Sequence, residues 1–197
     1  MVSEKDKPAD GVWREHHWSD VNRPEGIHPY LESKTLAEKA AWDFVKNLPD
    51  GEKIELATVC PTYIFGPAKQ KDGFTSGKSF EPIITGKQSP IPKSAMGVVD
   101  VRDVAELHVK AIKVPAAAGH RFFAQPHTPY KIEMAKILAE EFGPKGWPVC
   151  TFEGPDLNDP PSKVDISPAT DILGHKFLPL KDTMIDMANS MIESGFA

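Results

Sequence analysis

The chain has 197 residues, 40% hydrophobic and 26% charged, which suits one domain or a domain and a half and sets aside collagen-like, disordered and coiled-coil classes. Its 23 Lys and Arg against 28 Asp and Glu give a net charge of -5, which repels a phosphate backbone, so no nucleic-acid partner is expected. No stretch approaches the roughly 20 apolar residues of a membrane helix and the first ten residues are polar, so the reading is a cytoplasmic protein with no membrane partner.

Residues 1–29 lack an apolar period and read as a surface-running segment tacked down by Trp13 and Trp18. From Pro29 the pattern changes: Leu36, Ala37, Ala40, Ala41, Phe44, Val45 and Leu48 recur at helical spacing until Pro49-Asp50-Gly51 stops the run. Residues 54–60 are a short, β-branched apolar run closed by Pro61, as a buried parallel strand would be. Residues 66–97 shift to Gly, Ser, Lys and Pro and read as a long functional loop, in which Ser76 and Ser79 are candidate phosphate donors of uncertain register. A brief strand at 97–100 leads to a helix that Asp100 and Asp103 can cap, with Val104, Leu107, His108, Ala111 and Ile112 on its inner face. A strand at 121–124 and a helix at 130–142 follow. After a Pro-rich stretch, Ser167-Pro168 opens a short helix ending at Gly174, and residues 181–194 close the chain with Met184, Met187, Ala188, Met191 and Ile192 inward. Strands alternating with helices give an α/β class, yet about three strands are visible where a sheet commonly holds about 5–6, so the sheet looks incomplete.

Tyr30, one of three tyrosines, is followed four residues later by Lys34, and points four apart share a helix face. That spacing alone is common by chance. Position adds weight, because the same ridge continues to Ala37 and Ala41, small residues suited to close packing on a sheet, which predicts an inward-facing dyad. An ammonium beside a phenol favours the phenolate, so such a pair suits a general acid that protonates a carbonyl oxygen while a hydride reaches its carbon. A solvated Tyr and Lys at a helix start is the alternative that position leaves open.

The string Tyr30-Leu31-Glu32-Ser33-Lys34-Thr35-Leu36-Ala37-Glu38-Lys39-Ala40-Ala41-Trp42 resembles the active-site helix of extended short-chain dehydrogenases, especially the dihydroflavonol reductase, cinnamoyl reductase and fungal ketone or methylglyoxal reductase branch. Three further segments match in order: Cys60-Pro61-Thr62-Tyr63-Ile64-Phe65-Gly66-Pro67, then Val99-Asp100-Val101-Arg102-Asp103-Val104-Ala105 with His108, then Ile172-Leu173-Gly174 with Lys176-Phe177. The resemblance implies an NADP- or NAD-dependent reductase of a small-molecule ketone or aldehyde, or the reverse alcohol oxidation. In it Tyr30 donates the proton and Lys34 holds the cofactor ribose, while Pro61 and the backbone near Tyr63 meet the nicotinamide carboxamide.

The departures shape the rest of the reading. The family opens with a Rossmann half whose Gly-rich turn admits the pyrophosphate, but no two glycines of this chain lie two residues apart. The family's third catalytic residue, a serine or threonine, is not carried over, since Ser3 lies too close to Trp18 to match it. The expected architecture is therefore a partial Rossmann-like, doubly wound sheet lacking its N-terminal dinucleotide-binding half, plus a small C-terminal α/β substrate domain. Residues 1–66 would hold the remaining Rossmann part with the active-site helix, and 67–197 the substrate loop and mixed region, with strand 97–100 a candidate to return to the first. The other reading is a non-catalytic remnant, unable to bind cofactor alone, that self-associates or recruits a partner through its unfinished sheet edge.

Other candidates favour structural roles. Cys60 and Cys150 read as reduced thiols, Cys60 as a small buried hydrophobe, and no metal site is expected, because His16, His17 and His28 lack further ligands at a defined spacing. His108 reads as a hydrogen-bonded core histidine, and Asp100, Arg102 and Asp103 as caps and a local ion pair, with a substrate role the alternative.

Overall fold

Prolines and glycines cut the chain into short pieces, and the computed structural model, which describes residues 4–68 and 75–196, shows how they pair. Ser3 lies outside the described residues. In chain order the elements are β1 (Val12–Trp13), α1 (Pro29–Asn47), β2 (Thr58–Pro61), β3 (Tyr63–Phe65), α2 (Thr75–Ile84), β4 (Ile91–Ser94), β5 (Val98–Asp100), α3 (Val101–Lys113), β6 (Arg121–Ala124), α4 (Lys131–Phe142), β7 (Glu153–Asp159), β8 (Lys163–Val164) and α5 (Leu180–Ser194). The strands pair as β1–β8, β2–β6, β3–β5 and β4–β7, every pair parallel. This is an α/β fold with short parallel ladders, a partial Rossmann-like arrangement. The chain forms two compact units, Met1–Pro61 with Glu106–Ala124 and Lys163–His175, and Thr62–Ala105 with Gln125–Ser162 and Lys176–Ala197.

In the first unit β2 and β6 run in register from Thr58 opposite Arg121 to Pro61 opposite Ala124. The expected strand at 54–60 is shorter: its first four residues precede the ladder, and Ile54 is exposed. Phe122, Phe123 and Ala124 are buried, whereas all four residues of β2 are only half-buried. Trp13 is buried and its carbonyl accepts from the Asp165 N–H at 2.8 Å, tacking the first segment to β8 as its tryptophans predict.

Pro29 opens α1, and the His28 ring nitrogen accepts from the Tyr30 N–H at 3.2 Å, capping the helix. The helix length agrees with the apolar period but its orientation does not. Thr35 is the one buried residue of α1, while Leu36 and Phe44 are 47% and 62% exposed and Ala37 and Ala40 also face solvent. The cause is a polar anchor: Glu38 is bound to β2 and β6, so the face carrying Thr35, Glu38 and Trp42 packs down and the apolar ridge is rotated outward.

In the second unit Phe65, Phe80, Ile83, Ile84, Ile91, Val98, Leu138, Phe142, Met184, Met187 and Met191 form one core. The segment 66–97, expected as a loop, instead carries α2 and β4. Pro82 inside α2 costs ~3 kcal/mol, but burying Phe80, Ile83 and Ile84 at about 1.5–3 kcal/mol each outweighs it. Ser76 and Ser79 lie half-buried on that helix. The Pro-rich stretch likewise contains β7, paired with β4 through two register shifts. In α4 the Tyr130 N–H donates to Glu133 Oε2 at 2.7 Å, closing a capping box, and α5 ends at Gly195 in the left-handed region, φ 69°. The segment read as a short helix before Gly174 is a wide π-type turn, Pro168–Ile172. On α3, Val104 and Leu107 are buried, but His108 is exposed rather than in the core and Ile112 is 86% exposed, because these two positions lie a quarter turn from the packed stripe.

Candidate active site

The first turns of α1 present Tyr30 and Lys34. The Lys34 Nζ lies 5.6 Å from the centroid of the Tyr30 ring, so cation and phenol share one flank of the helix as their spacing predicts. The flank is open rather than inward: Tyr30 is 53% exposed and Lys34 is exposed. Ser33 Oγ donates to the Tyr30 carbonyl at 2.8 Å, a local bond that stiffens the first turn.

One turn beyond Lys34 stands a group that sequence reasoning missed. The Glu38 carboxylate accepts from Arg121 Nε at 2.8 Å and from its second terminal nitrogen at 2.9 Å, a bidentate pair, and from Thr58 Oγ1 at 2.7 Å and Trp42 Nε1 at 3.3 Å. Arg121 also donates to the backbone carbonyls of Glu15 and, at 2.9 Å, His17, and its guanidinium lies 3.6 Å from the Trp18 ring centroid. One arginine on β6 thus fixes the first segment, β2 and α1 together. Burial pushes the Glu38 carboxyl up, but the hydrogen bonds from Arg121 and Thr58 outweigh it, so the group is held below the ordinary glutamate value and stays ionised. Cys60 moves the other way, raised first by burial and then by the Glu38 charge, which disfavours the thiolate that a nucleophile needs. The signal available in the sequence was the spacing: Tyr30, Lys34 and Glu38 fall at i, i+4 and i+8.

Pro61 ends β2, half-buried. Tyr63 belongs to the second unit, where its N–H donates to the Gly97 carbonyl at 3.2 Å and the Thr62 hydroxyl to the same oxygen at 2.9 Å. In that unit the buried Asp100 carboxylate accepts from the Arg102 N–H at 2.8 Å and from its side chain at 2.9 and 2.8 Å, while Arg102 also reaches Asp186 at 2.7 Å. Burial raises the Asp100 carboxyl and the Arg102 bonds overcome this, leaving it below the ordinary range. This is the cap and ion pair that the sequence suggests. The His17 ring accepts from the Arg14 N–H at 2.8 Å, a local turn contact, and among the described residues no group of three His, Cys, Asp or Glu is placed to hold a metal ion. No helix of the described residues is long and apolar enough to cross a membrane.

No family model matches the chain. Individual proteins do. The NADPH-dependent methylglyoxal reductase GRE2 of Saccharomyces cerevisiae is 29% identical over 208 residues, covering 98% of this chain and 60% of that protein. Cinnamoyl-CoA reductase CAD2 of Medicago truncatula is 30% identical over 178 residues, 85% of this chain and 49% of that one. The crystal structure of yeast methylglyoxal/isovaleraldehyde reductase Gre2 complexed with NADPH superposes with a TM-score of 0.80 at 27% identity, over 98% of this chain and 60% of that chain. The chain is a homologue of the extended short-chain reductases. It spans about half to three fifths of the length of these relatives.

Proposed function

We propose that this chain carries the proton-donating part of an NADPH-dependent carbonyl reductase acting on a small ketone or aldehyde. The observation that supports this most is the Lys34 ammonium over the Tyr30 ring, on the open flank of a helix whose packed face is locked in place by the Glu38–Arg121 pair. The relatives named for methylglyoxal and cinnamoyl-CoA, and the NADPH held by the yeast enzyme, support that substrate class and that cofactor.

The residues present fit one end of such a cofactor. An exposed ammonium and an exposed phenol suit ribose hydroxyls, and in the same unit the half-buried end of β2 at Pro61 suits the carboxamide. They do not fit its pyrophosphate, because the sequence has no pair of glycines at a spacing of two. When bound, the nicotinamide supplies the hydride. The Tyr30 hydroxyl gives its proton to the carbonyl oxygen as negative charge grows there, and the Lys34 cation offsets the charge left on the phenol oxygen. Lys34 also orients the ribose.

The glycine spacing supports a second statement: the chain alone binds NADPH weakly or not at all. Fluorescence titration of NADPH against the isolated chain is expected to show no micromolar binding, and micromolar binding would overturn that statement. For catalysis, the chain is combined with the part of the Saccharomyces cerevisiae reductase outside their alignment, and methylglyoxal-dependent NADPH oxidation is followed. Lys34→Met is expected to raise KM for NADPH and Tyr30→Phe to remove turnover. Turnover unaffected by both changes would overturn the assignment.

A further inference from the structure

Helix α1 carries two stripes that compete for the inward position. Leu36, Ala37, Ala40 and Phe44 are apolar and face solvent, while Thr35, Glu38 and Trp42 pack down. Hydrophobic burial favours the opposite facing. What opposes it is the Glu38 carboxylate, gripped at 2.8 and 2.9 Å by Arg121 of β6 and at 2.7 Å by Thr58 of β2, with Arg121 the charged and bidentate partner. The same guanidinium lies 3.6 Å from the Trp18 ring centroid and donates to the Glu15 and His17 carbonyls, so it also pins the segment that runs into the first turn of α1. At about 100° per residue, Lys34 and Tyr30 lie about 40° and 80° around the helix axis from Glu38, and Ala37 and Phe44 lie about 100° and 120° away on the same side. Tyr30 therefore borders the ridge that burial alone would turn inward. A rotation that buries Phe44 takes the phenol with it, whereas the clamp leaves Tyr30 53% exposed.

We propose that Arg121 is a positioning residue for the proton donor: acting through Glu38, it fixes which way α1 faces and so keeps the Tyr30 hydroxyl and the Lys34 ammonium on the open flank, where a carbonyl and a ribose can reach them. Its hydrogen bonds and ring contacts go to Glu38, Glu15, His17, Trp18 and Phe123, so it acts on the dyad only through the helix. The inference rests on the proposed reading of Tyr30 and Lys34. It differs from a role in stability alone. A clamp that merely stabilises the fold leaves the dyad in place in every molecule that remains folded, whereas a positioning clamp changes the folded molecules themselves.

Two measurements test it. Hydroxyl-radical footprinting, read by mass spectrometry, compares the parent chain with Arg121→Met and Arg121→Lys at temperatures where circular dichroism shows each folded. In Arg121→Met, Trp42 is expected to gain reactivity and Leu36 and Phe44 to lose it, each by about threefold or more, with Arg121→Lys between because it keeps the charge without the fork. Unfolding raises all three together, so opposite changes report the facing of the helix, and Arg121→Lys carries the test if Arg121→Met does not fold. Leu36 and Phe44 unchanged in the folded variants overturn the proposal. The second measurement is methylglyoxal-dependent NADPH oxidation by the combined protein described under the proposed function. Arg121→Lys is expected to lower kcat and raise KM for NADPH together, because Tyr30 and Lys34 move as one. A lower kcat at unchanged KM, matching the unfolded fraction, is the signature of a structural role and overturns the proposal, as does full turnover in Arg121→Lys when Tyr30→Phe is inactive. Full turnover in Tyr30→Phe, or none in the combined parent, overturns the reading of the dyad instead, and the footprint still decides whether Arg121 sets the facing of α1.

Discussion

Replacing Arg121 by Met removes a cation that holds three segments of the first unit together. The side chains of Arg121 and Glu38 are 12% and 18% exposed, so the pair is largely but not wholly removed from water. Removing one partner of a buried pair costs about 3–5 kcal/mol. The remaining exposure of Glu38 and its bonds from Thr58 and Trp42 lower this, while the lost donations to the Glu15 and His17 carbonyls raise it again. A net loss of about 3 kcal/mol follows, which for a protein of this size lowers Tm by roughly 6–12 °C. Thermal unfolding followed by far-ultraviolet circular dichroism at pH 7 measures it. Glu38→Gln added to Arg121→Met is expected to cost much less than the sum of the two single changes, because no buried charge is then left alone. The sign with pH is fixed by the lowered Glu38 carboxyl: its contribution is complete above the ordinary value of 4.5 and fades as pH falls through the lower folded value, so the Glu38→Gln protein loses less stability on acidification. An Arg121→Met protein melting within about 2 °C of the parent would refute the clamp.

Two further outcomes test the second unit. Gly66 has φ 108° and an added Cβ would sit 2.9 Å from the Asp100 carboxylate, so Gly66→Ala is expected to lose about 2–4 kcal/mol in urea unfolding, and a loss below about 0.5 kcal/mol would contradict that geometry. The buried Ser94 hydroxyl has no hydrogen-bond partner among the described residues, so Ser94→Ala should be neutral or stabilising by up to about 1 kcal/mol, whereas a clear loss would mean that the hydroxyl is satisfied.

The elements that were legible in the sequence are those whose local signals agree with their packing. α4 has its stripe of Ile132, Ala135, Leu138 and Phe142 and a capping glutamate, and α5 has its methionines and a closing glycine. α2 was hidden because Pro82 and the surrounding Gly, Ser and Lys read as breakers, while the three apolar residues that outweigh them gain their weight only from a core formed by α4, α5 and distant strands. The dyad's common flank follows from a spacing of four, which any helix obeys. Its exposure does not, because the direction α1 faces is set by Arg121, 83 residues from Glu38, and no local pattern encodes that pairing. A period of apolar residues predicts which side of a helix wants burial, and here a charged pair turns a different side down.

The central claim is that Tyr30 moves the proton. It is tested most directly by single-turnover hydride transfer to methylglyoxal, read at 340 nm, in the complex of this chain with the remaining portion of the yeast reductase at saturating NADPH. Saturation separates chemistry from binding, and Tyr30→Phe is expected to slow the step by about 10²–10⁴-fold with the NADPH Kd little changed. A rate within about twofold of the parent would contradict the account.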